Sequence, residues 1–289
     1  MTVIDTGLKD LERQHPEWEP WLAVVQEMLR EINNPHWDAA VPRGVTQQDK
    51  TPLLAGATLA LEQDSVHDLV QSLMRIASRS GTPQMATLER AIQAELDLFN
   101  LFKAALCQDC DYLRQSAMAV GAEPEAFQAV TALAPVPFLQ ACNRHWKLSI
   151  APGWLEGYCP VCGTWPAFAE VRGIERTRYF RCGRCGGEWR AHCLFCAYCG
   201  MNDHESLVSL VPGNGGASRV IEACKRCLGY VKAFTTLEGS APEKVILEDL
   251  ASVDLDVAAV EQRYKRPQGA GYSLDVTITD KRLTPARKL

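Results

Sequence analysis

Nowhere in this 289-residue chain does an uninterrupted apolar run approach the roughly 20 residues needed to cross a bilayer, which argues against membrane insertion. The N-terminus, MTVIDTGLKDLERQ, has no basic segment followed by an apolar one, so it does not read as a secretory signal. Common catalytic motifs are missing too: there is no phosphate-binding loop, no G-x-G-x-x-G after a strand and no G-x-S-x-G elbow. Histidine is scarce, and none of His15, His36, His67, His145, His192 and His204 has a serine or aspartate partner in a recognisable motif. Nor is there a cationic excess. The formal charge of −5 and the pI near 5.7 argue against a generally basic surface.

What is present is globular: 47% of residues are apolar, 22% are charged, and no low-complexity tract marks disorder. The length suits one large domain or two ordinary ones. The expected compartment is the cytoplasm, where disulfides are rare and paired cysteines bind metal or do redox chemistry.

Two textures divide the chain. Up to about residue 148 it reads as helix. Trp21, Leu22, Val25, Leu29 and Ile32 fall at helical spacing, as do Val66, Leu69, Val70 and Leu73 before a stop at Gly81. The longest pattern runs from Ala86 to Leu113, and shorter ones cover Glu125–Leu133 and Phe138–Trp146. From Ala151 to about Leu237 glycine, cysteine, aromatic and β-branched residues take over. Strand-like runs appear at Ala167–Arg172, Thr177–Arg181, Glu188–Phe195, Ser206–Val211, Arg219–Glu222 and Tyr230–Thr235, with turn signals at 172–176 and 212–217. Helix returns at Leu247–Tyr264, and a loosely held tail closes the chain. The expected architecture is α+β: an all-α domain over 1–150, two small rubredoxin- or zinc-ribbon-like β modules over 151–190 and 191–240, and a C-terminal helix and tail over 241–289.

Of the twelve cysteines, nine lie between Cys159 and Cys227. Eight of these form four C-x-x-C stretches, CPVCG, CGRCGG, CAYCG and CKRCLG, each with glycine one or two positions later. Two thiolates three residues apart converge on one ion when the backbone turns tightly beneath them, and glycine supports that turn. Nineteen residues separate Cys162 from Cys182 and twenty-four separate Cys199 from Cys224, room for a hairpin in each case. The spacing therefore predicts two four-cysteine metal sites. One comprises Cys159, Cys162, Cys182 and Cys185; the other comprises Cys196, Cys199, Cys224 and Cys227. Zinc and iron both accept four thiolates. Closed sites of this kind suit structure or electron transfer rather than hydrolysis, which needs an open position. Cys193 is left over and reads as a small buried residue of the strand Glu188–Phe195. Cys107, Cys110 and Cys142 read as core.

Zinc ribbons often bind nucleic acid, and Arg172, Arg176, Arg178, Arg181, Arg184 and Arg190 cluster here. Yet ten Lys/Arg against seven Asp/Glu between 151 and 237 give +3, and two divalent ions on eight thiolates add −4, leaving about −1. Nucleic acid is therefore the weaker partner class.

The ordered pattern WLEGYCPVCGTWPAFAEV, RYFRCGRCGGEW, CAYCG, CKRCLGYVKAF and EDLASVDLD resembles the formate dehydrogenase accessory protein family, FdhE. The resemblance implies a cytoplasmic, non-catalytic helper that contacts the catalytic subunit of respiratory formate dehydrogenase before export by the twin-arginine (Tat) route. It also implies rubredoxin-type metal binding by the eight cysteines named above. A redox-active iron protein and a zinc-ribbon nucleic-acid regulator are the alternatives.

Overall fold

The computed structural model describes residues 3–79, 82–211 and 218–283. The Gly81 stop and the 212–217 turn lie outside them. Its strands are β1 (Thr58–Leu61), β2 (Phe168–Arg172), β3 (Thr177–Arg181), β4 (Glu188–Arg190), β5 (Leu207–Leu210), β6 (Arg219–Cys224), β7 (Tyr230–Thr236) and β8 (Thr277–Asp280). The chain forms two compact units: Met1–Gly44 with Leu54–His145 and Ser273–Leu289, and Val45–Leu53 with Trp146–Tyr272.

The first unit is built around the helix Gln63–Ser78, whose Val66, Leu69, Val70, Leu73 and Met74 are buried. The helix Glu19–Glu31 packs beside it and buries Leu22, Val25, Met28 and Leu29, the 3.6-residue periodicity read from the sequence. Two expectations change. The long pattern from Ala86 to Leu113 is not one helix but Leu88–Gln93, Leu98–Cys107 and a start at Cys110. Asp97 and Asp109 break it, because their carboxylates accept from the backbone N–H groups of Asn100 and Tyr112, both at 3.0 Å, and so cap new helices. Gln108 turns left-handed between them at φ 58°. Cys110 thus opens a helix rather than continuing the Phe102–Leu106 stripe. Cys107 and Cys110 are half-buried, and Cys142 is fully enclosed. The second change is that this unit is not purely helical. β1 pairs in parallel with β8, so part of the supposed loose tail is a strand. Pairing so distant in sequence leaves no local pattern to read.

The second unit carries one six-stranded sheet of order β4-β3-β2-β7-β6-β5. Within it β2-β3-β4 and β5-β6-β7 are equivalent antiparallel meanders. The first strand of one and the last strand of the other join in parallel, Phe168 opposite Lys232 and Ala169 opposite Ala233. The two modules are therefore tandem copies sharing a sheet. Helices Val245–Leu250 and Val253–Glu261 replace the single expected helix and pack on this unit. Leu255 and Ala259 cluster with Ile221, Ala223 and Tyr230.

Buried ion pairs hold this arrangement. Lys232, fully enclosed, meets Asp249 at 2.7 Å and Asp256 at 2.8 Å, and Arg266 neutralises the same two carboxylates at 2.9 and 2.8 Å. Burial opposes ionisation of Asp249, but Arg266 and Lys232 outweigh it and hold that carboxyl below its usual range. Among the described residues no helix is long and apolar enough to cross a membrane.

Candidate metal centres

Four knuckles carry the eight cysteines, and all four are built by the same two backbone hydrogen bonds. The N–H of the first cysteine donates to the carbonyl five residues on: Cys159 to Thr164, Cys182 to Gly187, Cys196 to Met201 and Cys224 to Gly229, at 2.8–2.9 Å. The residue after the second cysteine donates back to the first: Gly163, Gly186, Gly200 and Leu228 at 2.9–3.0 Å. That residue is left-handed in every case, at φ 69°, 69°, 71° and 58°. Glycine takes this conformation without a Cβ clash, which explains its place in three of the knuckles. The fourth departs from the rule: Leu228 occupies the left-handed position. Gly229 instead leaves room for the Tyr198 ring, which a Cβ there would meet at 2.3 Å.

These turns bring the sulfurs together. In centre one, Cys159 Sγ lies 3.5 Å from Cys185 Sγ, and Cys162 Sγ lies 3.5 Å from Cys182 Sγ. In centre two the equivalent pairs, Cys196–Cys227 and Cys199–Cys224, are 3.6 and 3.7 Å apart. Within each quartet all ligand atoms lie within 4.8 Å of one another. A tetrahedral ion with bonds of about 2.3 Å to sulfur requires edges of about 3.8 Å, so both quartets have the size of a tetrathiolate site. Each could hold a metal ion.

The chemistry of the donors points the same way. Burial pushes the Cys159 and Cys185 thiols well up, whereas hydrogen bonds from Cys159, Cys182 and Cys185 pull Cys162 well down. The protein alone thus favours an anion at one position and opposes it at two others. A cation at the centre is what makes several thiolates compatible with burial. Backbone N–H groups of Val161, Cys185, Gly187 and Gly229 also donate to Cys159, Cys182, Cys185 and Cys227 Sγ, each at 3.4 Å.

Cys193 stands elsewhere than expected. It is exposed, because β4 ends at Arg190 rather than continuing to Phe195. The physical cause is Arg178, whose guanidinium takes the carbonyls of His192 at 3.0 Å and Phe195 at 3.3 Å. Its other nitrogen pairs with Glu222.

The arginine cluster likewise divides. Arg181 is 1% exposed and meets Glu170, itself 1% exposed, at 3.0 Å. Arg172 pairs with Glu170 and with Glu188 at 2.6 Å. Three of the six arginines are thus spent internally and do not form one cationic face. Glu170 and Lys232 escaped the sequence reading. The available signal was a lone charge in each of two apolar strand runs, FAEV and YVKAF.

The shared knuckle yields an unequal pair of substitutions. Gly186→Ala places a Cβ at positive φ and 2.4 Å from the Pro242 carbonyl, whereas at Gly200 a Cβ meets nothing within 4 Å. Gly186→Ala should cost about 2–4 kcal/mol and Gly200→Ala only about 1–2 kcal/mol. Urea denaturation of the two metal-loaded variants against the parent checks the difference.

No family model matches the chain. A protein FdhE homolog of Aquifex aeolicus is 32% identical over 201 residues, covering 66% of this chain and 64% of that protein. A homolog from Stutzerimonas stutzeri is 30% identical over 143 residues, 45% of this chain and 46% of that one. The chain thus spans less than two thirds of the length of these curated relatives. The crystal structure of the FdhE protein from Pseudomonas aeruginosa shares the fold. Its TM-score is 0.55, with 93% of each chain covered at 23% identity.

Proposed function

The chain belongs to the FdhE family, and from that premise we propose that it is an accessory protein of formate dehydrogenase. It acts in the cytoplasm, is not itself an enzyme, and binds the catalytic subunit of the respiratory enzyme before Tat export. The observation that carries this reading is the pair of complete four-cysteine centres set side by side in one sheet of the FdhE fold. Cys159, Cys162, Cys182 and Cys185 would hold one ion, and Cys196, Cys199, Cys224 and Cys227 the other. Zinc or iron bound there would cross-link the knuckles and supply on the order of 10 kcal/mol of folding free energy per site. The chain's own residues do the rest. Glu170, Arg181, Lys232, Asp249 and Asp256 fix the sheet and its helices, giving a rigid body for recognition. With Arg172, Arg178 and Arg181 paired internally, the surface has little of the cationic excess that nucleic-acid binding requires.

A tagged pull-down from formate-respiring cells tests the proposal. The wild type should capture the catalytic subunit, and a Cys159→Ser/Cys196→Ser variant should lose it. Failure of the wild type to capture that subunit overturns the partner. Capture by both forms removes the metal from recognition. It would instead favour redox-active iron, which the N–H donors aimed at sulfur would tune; such a protein is coloured when oxidised and bleaches on reduction.

A further inference from the structure

The two copies of the repeat are not covered equally. In centre one every cysteine is 0% exposed. Its knuckles are capped by chain from elsewhere in the same unit. Leu53 N–H donates to the Pro160 carbonyl at 2.8 Å, and Gln47 reaches the same carbonyl at 3.3 Å. Tyr272 N–H donates to the Gly163 carbonyl at 2.9 Å, and Pro242 lies against Gly186. Among the described residues centre two is strapped on its inner side, by Lys265 N–H to the Leu228 carbonyl at 2.8 Å and by Gly157 lying against Ala197 between Cys196 and Cys199. Its Gly200 knuckle has open space where a Cβ would stand. Cys199 reaches the surface, Cys227 is half-buried and the adjoining Leu228 is 47% exposed. From the protein side, a cavity of about 90 Å³ reaches the same centre and is lined by Cys193, Cys196 and Cys224.

We propose that centre two is an exchangeable, thiol-reactive metal site with Cys199 as its accessible ligand, and that centre one is permanent. The inference rests on the metal reading of the two quartets. Exchange at a tetrathiolate ion needs an incoming soft donor to approach the ion, or one thiolate to leave it while a competitor binds. Both routes are open at Cys199. At centre one either route first requires the straps 45–53, Pro242 or Tyr272 to open, and such sub-global opening carries its own free energy. The ligands that centre two would accept are soft: external thiolates and chelators at the ion, and alkylating electrophiles at Cys199 sulfur. With iodoacetamide, an S–C bond forms, the C–I bond breaks, and iodide leaves with the electron pair. The resulting thioether is a poorer ligand, so the metal follows.

The test uses the full chain loaded with two zinc ions, in wild type and in Cys193→Ser, which removes the exposed bystander thiol. Zinc release to excess pyridylazoresorcinol should be biphasic, half of it faster by on the order of tenfold or more. Limited iodoacetamide treatment with peptide mass spectrometry should label Cys199 and then Cys227 during the fast phase. Cys159, Cys162, Cys182 and Cys185 should stay unlabelled until denaturant is added. Release of both ions in one phase, or labelling of centre one alongside Cys199, overturns the inference while leaving two metal sites. Fewer than two zinc ions bound per chain overturns the metal reading and the inference with it.

Discussion

Cys182→Ser is expected to leave one metal ion per chain instead of two and to loosen the first module, strands β2 to β4, while centre two keeps its ion. Cys182 closes the first quartet 3.5 Å from Cys162, and its sulfur also takes the Cys185 N–H at 3.4 Å. A serine hydroxyl stays protonated at neutral pH and is a poor ligand, so the remaining thiols face burial with no cation to ionise them. A structural four-thiolate site contributes on the order of 10 kcal/mol, comparable to the whole stability of an ordinary domain at about 5–15 kcal/mol. Metal analysis by mass spectrometry, with limited proteolysis of the region 146–272, reads both consequences. The control is Cys193→Ser: exposed and outside both quartets, it should retain two ions and change stability by no more than about 0.5 kcal/mol. Two ions retained in Cys182→Ser would show that this quartet is not a metal site.

The second large effect is expected at a residue that touches no metal ligand. Glu170→Gln should destabilise the second unit by about 3–5 kcal/mol, because it breaks a buried ion pair from one side. The Glu170 carboxylate accepts from Arg181 at 3.0 and 3.1 Å, from Arg172 Nε at 2.7 Å and from Ser240 N–H at 3.1 Å. Removing its charge leaves the enclosed Arg181 among neutral acceptors, including the Gly186 and Ser240 carbonyls at 3.2 and 2.7 Å, with Glu188 at 3.7 Å as its counter-ion. The Gly186 carbonyl belongs to a knuckle of centre one, so zinc release from that centre should also speed up. Urea denaturation of the metal-loaded protein measures the first effect and chelator kinetics the second. An unchanged midpoint would mean that Glu188, whose carboxyl Arg172 already holds low against the opposing effect of burial, takes over as counter-ion.

The sequence by itself determined the α-then-β texture, the partition of eight cysteines into two quartets, and the strands β2, β3, β5, β6 and β7 to within a residue or two. These signals are local. Three-residue spacing sets a knuckle, alternation and turn residues set a hairpin, and a 3.6-residue period sets a helix face. Tertiary structure decided what depends on distant partners. Asp97 and Asp109 cut a continuous apolar stripe because a cap hydrogen bond outweighs helical periodicity. Arg178 ended β4 early by taking two carbonyls, which put Cys193 outside. Residues 277–280 became a strand only because β1 lies beside them. The unequal cover of the two centres was equally invisible, since all four knuckles share the same cysteine spacing and the difference comes from residues 47, 53, 242 and 272, distant in sequence from the knuckles they cover. Spacing along the sequence decides which thiols meet, but what shields them from solvent depends on contacts between residues that no local pattern connects.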